Sequence, residues 1–158
     1  MPSAGKLNVM ILGEAPGQDE NREGIGFVGK SGKLLWKILR KHGLERDLFY
    51  ISNICKCFPS VTKTPKKKHI NSCRQWVEKE IEIINPYLIL SFGNTGNFFF
   101  RGEDSGIIAI NATTQWHIDY NCWVTYSVHP AMATYSTENM PYLEESIEEF
   151  VRKVDLLM

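Results

Sequence analysis

Residues 9–17 read Val-Met-Ile-Leu-Gly-Glu-Ala-Pro-Gly, and this stretch indicates an α/β fold. Its apolar part, Val9–Leu12, is typical of a buried β-strand, and the Gly/Pro-containing loop Gly13–Gly17 ends that strand. Apolar residues recur at helical spacing within 34–39, which predicts an amphipathic helix after the loop. α/β proteins place ligand sites where a strand runs through an open loop into a helix, at the carboxyl ends of their strands.

The rest of the chain continues this alternation of strands and helices. Pro65 after Thr64 predicts the first turn of a capped helix that runs to about Ile84. The remaining predicted elements are strands near 48–54, 87–92 and 124–128, one or two strands within 107–126, and helices from about Thr95 and at 142–157. Such alternation favours a mostly parallel sheet that helices cover on both faces.

Composition limits the classes of protein to consider. The chain has 158 residues, of which 43% are hydrophobic, so we expect a single domain over residues 1–158. Eighteen basic and 18 acidic residues give zero formal net charge, so overall charge predicts no partner and any nucleic-acid contact must come from local patches. No apolar run approaches the roughly 20 residues that span a membrane, and the N-terminus has no hydrophobic signal segment.

Four polar or aromatic residues follow predicted strands and carry candidate chemistry. They are Glu14, Phe27, Asn53 and His129, and such positions meet at one edge of a parallel sheet. A carboxylate can orient water or stabilise a cationic sugar, and a histidine can donate a hydrogen bond to a departing anion. An aromatic ring stacks on a base, and an Asn amide suits the amide edge of a pyrimidine. Taken singly, each residue also fits an ordinary turn or core position; together they predict a pocket that excises a flipped-out base.

Three ordered motifs give the chain a resemblance to a known family. They are Gly13–Gly17 with Phe27–Gly32, then Asn-Ile-Cys-Lys-Cys-Phe-Pro-Ser at 53–60, then Tyr-Ser-Val-His-Pro-Ala at 126–131. The chain resembles a family 4 uracil-DNA glycosylase over nearly its whole length. That resemblance implies a three-layer α/β/α sandwich around a central, mostly parallel four-stranded sheet. It also implies hydrolysis of the N-glycosidic bond of uracil in DNA, without a covalent lysine intermediate.

The resemblance implies a role for each matching residue. Glu14 and His129 would be catalytic: Glu14 would serve the water or the oxocarbenium ion, and His129 would stabilise O2 of the departing uracil. Phe27 would stack on uracil and Asn53 would read its amide edge. Ala15 would also contact the substrate, at the position where other uracil glycosylase families carry Asp or Asn.

Two further segments are candidates for DNA contact. The loop from Pro130 to Pro141, with Ala131 and Met132, would sit at the minor groove by the same resemblance. A basic run lies at a predicted helix start, where a helix N-terminus and lysines can hold a phosphate; the alternative is an ordinary solvated face. This run comprises Lys63, Lys66, Lys67 and Lys68.

The chain also departs from the family pattern. Gly26 stands where the family usually has proline, and Thr62 replaces an asparagine thought to help hold the catalytic water. Residues 132–134 differ from the family's Leu-Leu-Arg, so the wedge that fills the vacated base stack is smaller or shifted. Two alternatives follow: a glycosylase retuned to another modified base, and a non-catalytic DNA-binding relative.

The cysteines bear on a cofactor. Family 4 enzymes bind a 4Fe–4S cluster, which needs four thiolates. Cys57 and Cys73 match one ligand pair, but the first Cys-x-x-Cys pair has no counterpart, since the chain begins with a segment that resembles the one after that pair. We therefore expect no cofactor and no metal; the alternative is a cluster whose first pair is missing from this sequence. Cys55 and Cys122 have no assigned role.

The expected partner is uracil-containing DNA, single- or double-stranded, bound by a monomer. Four cysteines without a secretion signal favour a reduced, intracellular setting. Within the cell, the cytoplasm or nucleoid is expected, with a viral origin left open.

Overall fold

The structure is a computed structural model that describes residues 5–56 and 65–157. Its elements in chain order are β1 (Val9–Gly13), α1 (Gln18–Glu23), α2 (Lys30–Lys41), β2 (Tyr50–Asn53), α3 (Lys67–Ile84), β3 (Leu88–Phe92), α4 (Gly93–Arg101), α5 (Ile107–Ile110), β4 (Thr114–His117), β5 (Cys122–Ser127), α6 (Pro130–Tyr135) and α7 (Met140–Leu157). Short 3₁₀ turns occupy Arg46–Leu48 and Thr137–Asn139.

One sheet with strand order β2-β1-β3-β5-β4 forms the middle layer. The first four strands in that order are parallel, and β4 pairs antiparallel with β5. Side chains of β1 alternate between two cores, since Val9 and Ile11 face α2 and α7 whereas Met10 and Leu12 face α3 and α4. The predicted three-layer α/β/α sandwich is therefore confirmed.

The predicted count of four strands is wrong, because β4 adds a fifth. Residues 107–126 hold two strands, but their first residues form the short helix α5 instead of a strand. The Asn94 side chain accepts a hydrogen bond from the Ile107 backbone N–H at 3.1 Å and so caps that helix from a distant part of the chain. A contact of this kind cannot be read from local pattern.

Two helix boundaries also differ from the sequence predictions. The predicted open loop after β1 contains helix α1, whose acidic first-turn residues Asp19 and Glu20 complement its N-terminal dipole. Helix α3 begins at Lys67, after Pro65, because His69 Nδ1 accepts the Lys66 backbone N–H and caps the helix there. The predicted cap, Thr64, lies outside the described residues.

The strand register brings the loops that follow the parallel strands to one edge. Gly13 at the end of β1 lies beside Asn53 at the end of β2, and Phe92 of β3 lies beside Ser127 of β5. The loops after these four strands therefore start side by side, which is the ligand-binding edge of a parallel α/β sheet.

Candidate active site

A cleft of about 400 Å³ opens at this edge of the sheet. Its lining includes every described residue that the sequence analysis assigned to catalysis or base binding, and the two predicted minor-groove residues as well. These are Glu14, Ala15, Phe27, Asn53, His129, Ala131 and Met132. The cleft is lined by both apolar and polar groups, as expected for a site that takes a small ring with polar edges.

Glu14 is fixed at both its backbone and its side chain. Its carbonyl oxygen accepts the Cys55 N–H at 2.9 Å, which extends the β1–β2 pairing one step beyond the strands. Thr95 is 4% exposed at the start of α4, and its hydroxyl donates to Glu14 Oε2 at 2.9 Å. The carboxylate is thus held next to the cleft in a defined position.

Phe27 and Asn53 meet over the bare backbone of Gly13. A Cβ atom at position 13 would overlap Asn53 Oδ1 and would lie 2.6 Å from Phe27 Cζ. The Phe27 ring also packs against Phe92, with ring centroids 5.9 Å apart, and edge-on against Trp36 at 6.4 Å. An aromatic face and an amide are therefore neighbours in the cleft because residue 13 has no side chain.

Lys56 fixes the backbone of Asn53 from outside the cleft. Its ammonium donates to the Asn53 carbonyl at 2.7 Å and to Ser52 Oγ at 2.7 Å. The same ammonium pairs with Glu80 of α3, which also accepts from Tyr50 and Ser52. The amide-bearing end of β2 is therefore held by a charged network that is mostly shielded from solvent.

His129 lies two residues after the end of β5, and one of its ring nitrogens accepts a hydrogen bond from the backbone. The Ala131 backbone N–H donates to Nδ1 at 3.0 Å, so a neutral ring carries its proton on Nε2. Most of the ring is enclosed, and the remainder opens into the cleft. Burial lowers the pKa of His129 below its usual value, although the nearby carboxylates of Glu14 and Glu20 act in the opposite direction.

Gly93 lies next to both His129 and Glu14. Its φ of +70° is a left-handed conformation that favours glycine. A Cβ at this position would lie 3.5 Å from His129 Cβ and 3.8 Å from Glu14 Oε2. The start of α4 therefore fits closely beneath the histidine and the carboxylate.

A second groove of about 360 Å³ shares Glu14, His129 and Met132 with the first cleft. Its other lining residues include Asn94 at the start of α4 and Lys67 at the start of α3. The ammonium of Lys67 lies 2.9 Å from Asp104, and this ion pair lowers the pKa of the Asp104 carboxyl. The two grooves thus meet at the candidate catalytic residues.

The predicted phosphate-binding lysines are only partly at the site. Lys67 lines the second groove, whereas Lys66 and Lys68 are exposed at the start of α3 and line neither groove. Lys63, like Thr62, lies outside the described residues.

The structure brings two residues to this site that had no predicted role, Glu20 and Thr95. Tyr135, which lies in the predicted minor-groove loop but was not singled out there, also lines the cleft. Tyr135 is 89% exposed on the rim of the cleft, whereas the predicted wedge residue Met132 is partly buried against the core. An acidic residue six positions after Glu14 could have drawn attention to Glu20, but no local pattern links Thr95 to Glu14.

The described cysteines do not by themselves provide a cluster site. Cys55 and Cys73 are free and adjacent, and Cys122 is buried in β5. Burial and then Cys73 raise the pKa of the Cys55 thiol to about 12, which disfavours the thiolate that iron needs. Within residues 5–56 and 65–157, no three His, Cys, Asp or Glu side chains are grouped to hold a metal; Cys57 lies outside these ranges.

Fold and site together define a three-layer α/β protein with an aromatic and polar cleft at the carboxyl edge of its sheet. Comparison with known proteins assigns the chain to a superfamily. The sequence model of the uracil DNA glycosylase superfamily matches residues 2–152. Within the described part of the chain, no helix is long and apolar enough to cross a membrane.

Individual relatives identify the family within this superfamily. The chain is 33% identical to the type-4 uracil-DNA glycosylase of Sulfurisphaera tokodaii over 94% of its own length and 69% of that protein's. Identity to the type-4 enzyme of Saccharolobus solfataricus is also 33%, over 94% and 70% of the two chains. For the type-4 enzyme of Archaeoglobus fulgidus it is 31%, over 94% and 76%. The chain belongs to the type-4 uracil-DNA glycosylase family of this superfamily.

The buried, neutral His129 predicts a pH dependence of stability. Because the folded-state pKa is lowered, the unfolded chain binds a proton first as the pH falls below about 6.5. The free energy of unfolding should therefore decrease with falling pH, by at most about 1.4 kcal/mol per pH unit from this group. The decrease should be smaller in His129→Asn. Denaturant titrations of both proteins between pH 5 and pH 7.5 measure it, and parallel pH curves would contradict the assignment of His129 as neutral.

Proposed function

We propose that this chain is a monofunctional uracil-DNA glycosylase that hydrolyses the N-glycosidic bond of uracil in DNA and leaves an abasic site. One observation carries the proposal: Glu14, Phe27, Asn53 and His129 all line a single cleft of about 400 Å³. The names of the type-4 relatives support the same activity.

Base recognition is assigned to Phe27 and Asn53. Stacking of one base on an aromatic side chain contributes roughly 1–3 kcal/mol. The Asn53 amide offers one acceptor and two donors, so it can bind the N3–H and O4 edge of uracil together. Because both groups meet over Gly13, a ring stacked on Phe27 presents its edge to Asn53.

Glu14 is assigned to the water and to the sugar. The hydroxyl of Thr95 occupies Oε2, which leaves Oε1 to orient a water toward C1′ of the deoxyribose. A carboxylate at this position also stabilises the positive charge that develops on the sugar as the bond to the base breaks. The water oxygen forms the new bond to C1′, and its proton passes to the carboxylate.

His129 is assigned to the leaving group. As the C1′–N1 bond breaks, its electron pair moves onto uracil and negative charge develops at O2. With Nδ1 bound by the Ala131 N–H, the Nε2–H is the free donor that can stabilise this oxygen. A neutral imidazole can accept the Ala131 N–H at Nδ1 and donate from Nε2 at the same time, which suits the lowered pKa of His129.

An excision assay tests the proposal. Wild-type protein is incubated with end-labelled oligonucleotides that carry one uracil, single- and double-stranded, and abasic sites are cleaved with alkali. We expect cleavage at uracil, reduced about a hundredfold or more in Glu14→Gln because the carboxylate acts on the water. Glu23→Gln, an exposed carboxylate in α1, should be unaffected. Absence of cleavage at uracil in every context would overturn the proposal, and release of another deaminated base alone would favour the retuned glycosylase.

We also propose that the lysines at the start of α3 contact DNA phosphates. Lys67 lies beside Glu14 and His129 in the second groove, and Lys66 and Lys68 are exposed next to it. Replacing Lys66, Lys67 and Lys68 by Glu should reduce the slope of log affinity against log salt by about 0.7–0.9 for each phosphate that the lysines neutralise. Lys79→Glu, exposed further along the same helix, is the control. An unchanged slope would rule the phosphate contacts out.

The remaining predictions stay predictions. They are that the protein acts as a monomer inside the cell and that it needs no cofactor. The chemistry assigned above uses a carboxylate, an amide, an aromatic ring and an imidazole, none of which is a thiolate. A visible absorption shoulder in the purified protein would contradict the cofactor prediction.

A further inference from the structure

Glu20 joins two segments that line the cleft, the loop Glu14–Gly17 and the segment that follows Phe27. Its Oε1 accepts the backbone N–H of Gly17 at 3.1 Å, at the end of the loop that carries Glu14. Its Oε2 accepts the backbone N–H groups of Val28 at 2.8 Å and Gly29 at 2.5 Å, directly after Phe27. One carboxylate therefore bridges the loop that carries Glu14 and the segment that follows Phe27.

Phe27 needs such support because its backbone is strained. Its φ of +57° lies in the left-handed region, which a bulky residue adopts only at a cost in energy. Strain of this kind persists where surrounding contacts over-determine the conformation. Besides the Glu20 bonds, Trp36 Nε1 donates to the Phe27 carbonyl at 3.2 Å, and Arg46 donates to the Gly26 carbonyl.

The Glu20 bonds differ from the other two supports. Trp36 and Arg46 hold carbonyl groups at and before Phe27, whereas Glu20 holds the two N–H groups that follow it. Glu20 also connects the Phe27 segment to Gly17 and thereby to the Glu14 loop. Among these hydrogen bonds, only those of Glu20 link the segment after Phe27 to the loop that carries Glu14.

We propose that Glu20 is a positioning residue that holds the Phe27 ring at its stacking position against the cleft, an inference that rests on the proposed function. The side chain has the right length to span both loops, and its two oxygens accept three N–H donors. A glutamine at this position can satisfy the donors of one loop only, because its amide nitrogen then faces an N–H group of the other. An alanine satisfies neither.

Kinetics in a double-mutant cycle with Phe27→Ala test the proposal. Glu20→Ala should lower kcat/KM for uracil excision about tenfold or more, comparable to the loss of one stacked base, and Glu20→Gln should lie between it and wild type. If Glu20 acts through Phe27, adding Glu20→Ala to Phe27→Ala should cost much less than it costs in wild type. Glu23→Ala, in the same helix, is the matched control and should leave kcat/KM unchanged.

Three kinetic outcomes would overturn the proposal: full activity of Glu20→Ala, effects of Glu20→Ala and Phe27→Ala that multiply, or a decrease in Glu20→Ala activity that equals its decrease in folded protein. If Glu20→Ala does not fold, the cycle is run with Glu20→Gln.

Hydrogen exchange at the Val28 and Gly29 amides gives a readout independent of activity. Exchange should accelerate in the Glu20 variants and not in Glu23→Ala, and unchanged exchange would also overturn the proposal. Failure of the proposed function would instead appear as inactivity of wild-type protein with intact amide protection.

Discussion

The close approach of Phe27 and Asn53 over Gly13 is the contact on which the rest of the site depends. Parallel pairing of β1 with β2 puts Gly13 beside Asn53, and the missing side chain lets the Phe27 ring reach the same place. Any Cβ at position 13 would push the ring and the amide away from each other. The Phe27 ring and the Asn53 amide thus meet at the end of β1, one residue before Glu14.

Electrostatics complete the site. The enclosed imidazole of His129 is kept neutral by burial, and the Ala131 N–H on Nδ1 would face a second N–H if the ring were protonated. The Glu14 carboxylate lies near it, with Thr95 donating to one oxygen. A histidine donor and a carboxylate that line one cleft can act on a departing anion and on a cationic sugar respectively.

Local sequence pattern predicted much of this arrangement. The runs at β1, β2, β3 and β5 predicted strands, and parallel strands place Glu14, Asn53 and His129 at one edge. The rest depends on contacts between distant residues: Thr95 lies 81 positions from Glu14, and Asn94 caps α5 from 13 positions away. Helix α5 was missed for the same reason, whereas the local pattern allowed a strand within 107–126 and only the four-stranded sheet implied by the resemblance left β4 out. The role of Glu20 requires the loop geometry around Phe27.

A crystal structure of the protein with free uracil would show directly whether these side chains bind the base, since uracil is the product that the cleft should hold. We expect a uracil ring stacked on Phe27, with its N3–H and O4 edge on the Asn53 amide and O2 within hydrogen-bonding distance of His129 Nε2. Uracil bound in the second groove by Lys67 and Asn94, or stacked on Phe27 with its amide edge turned away from Asn53, would contradict it.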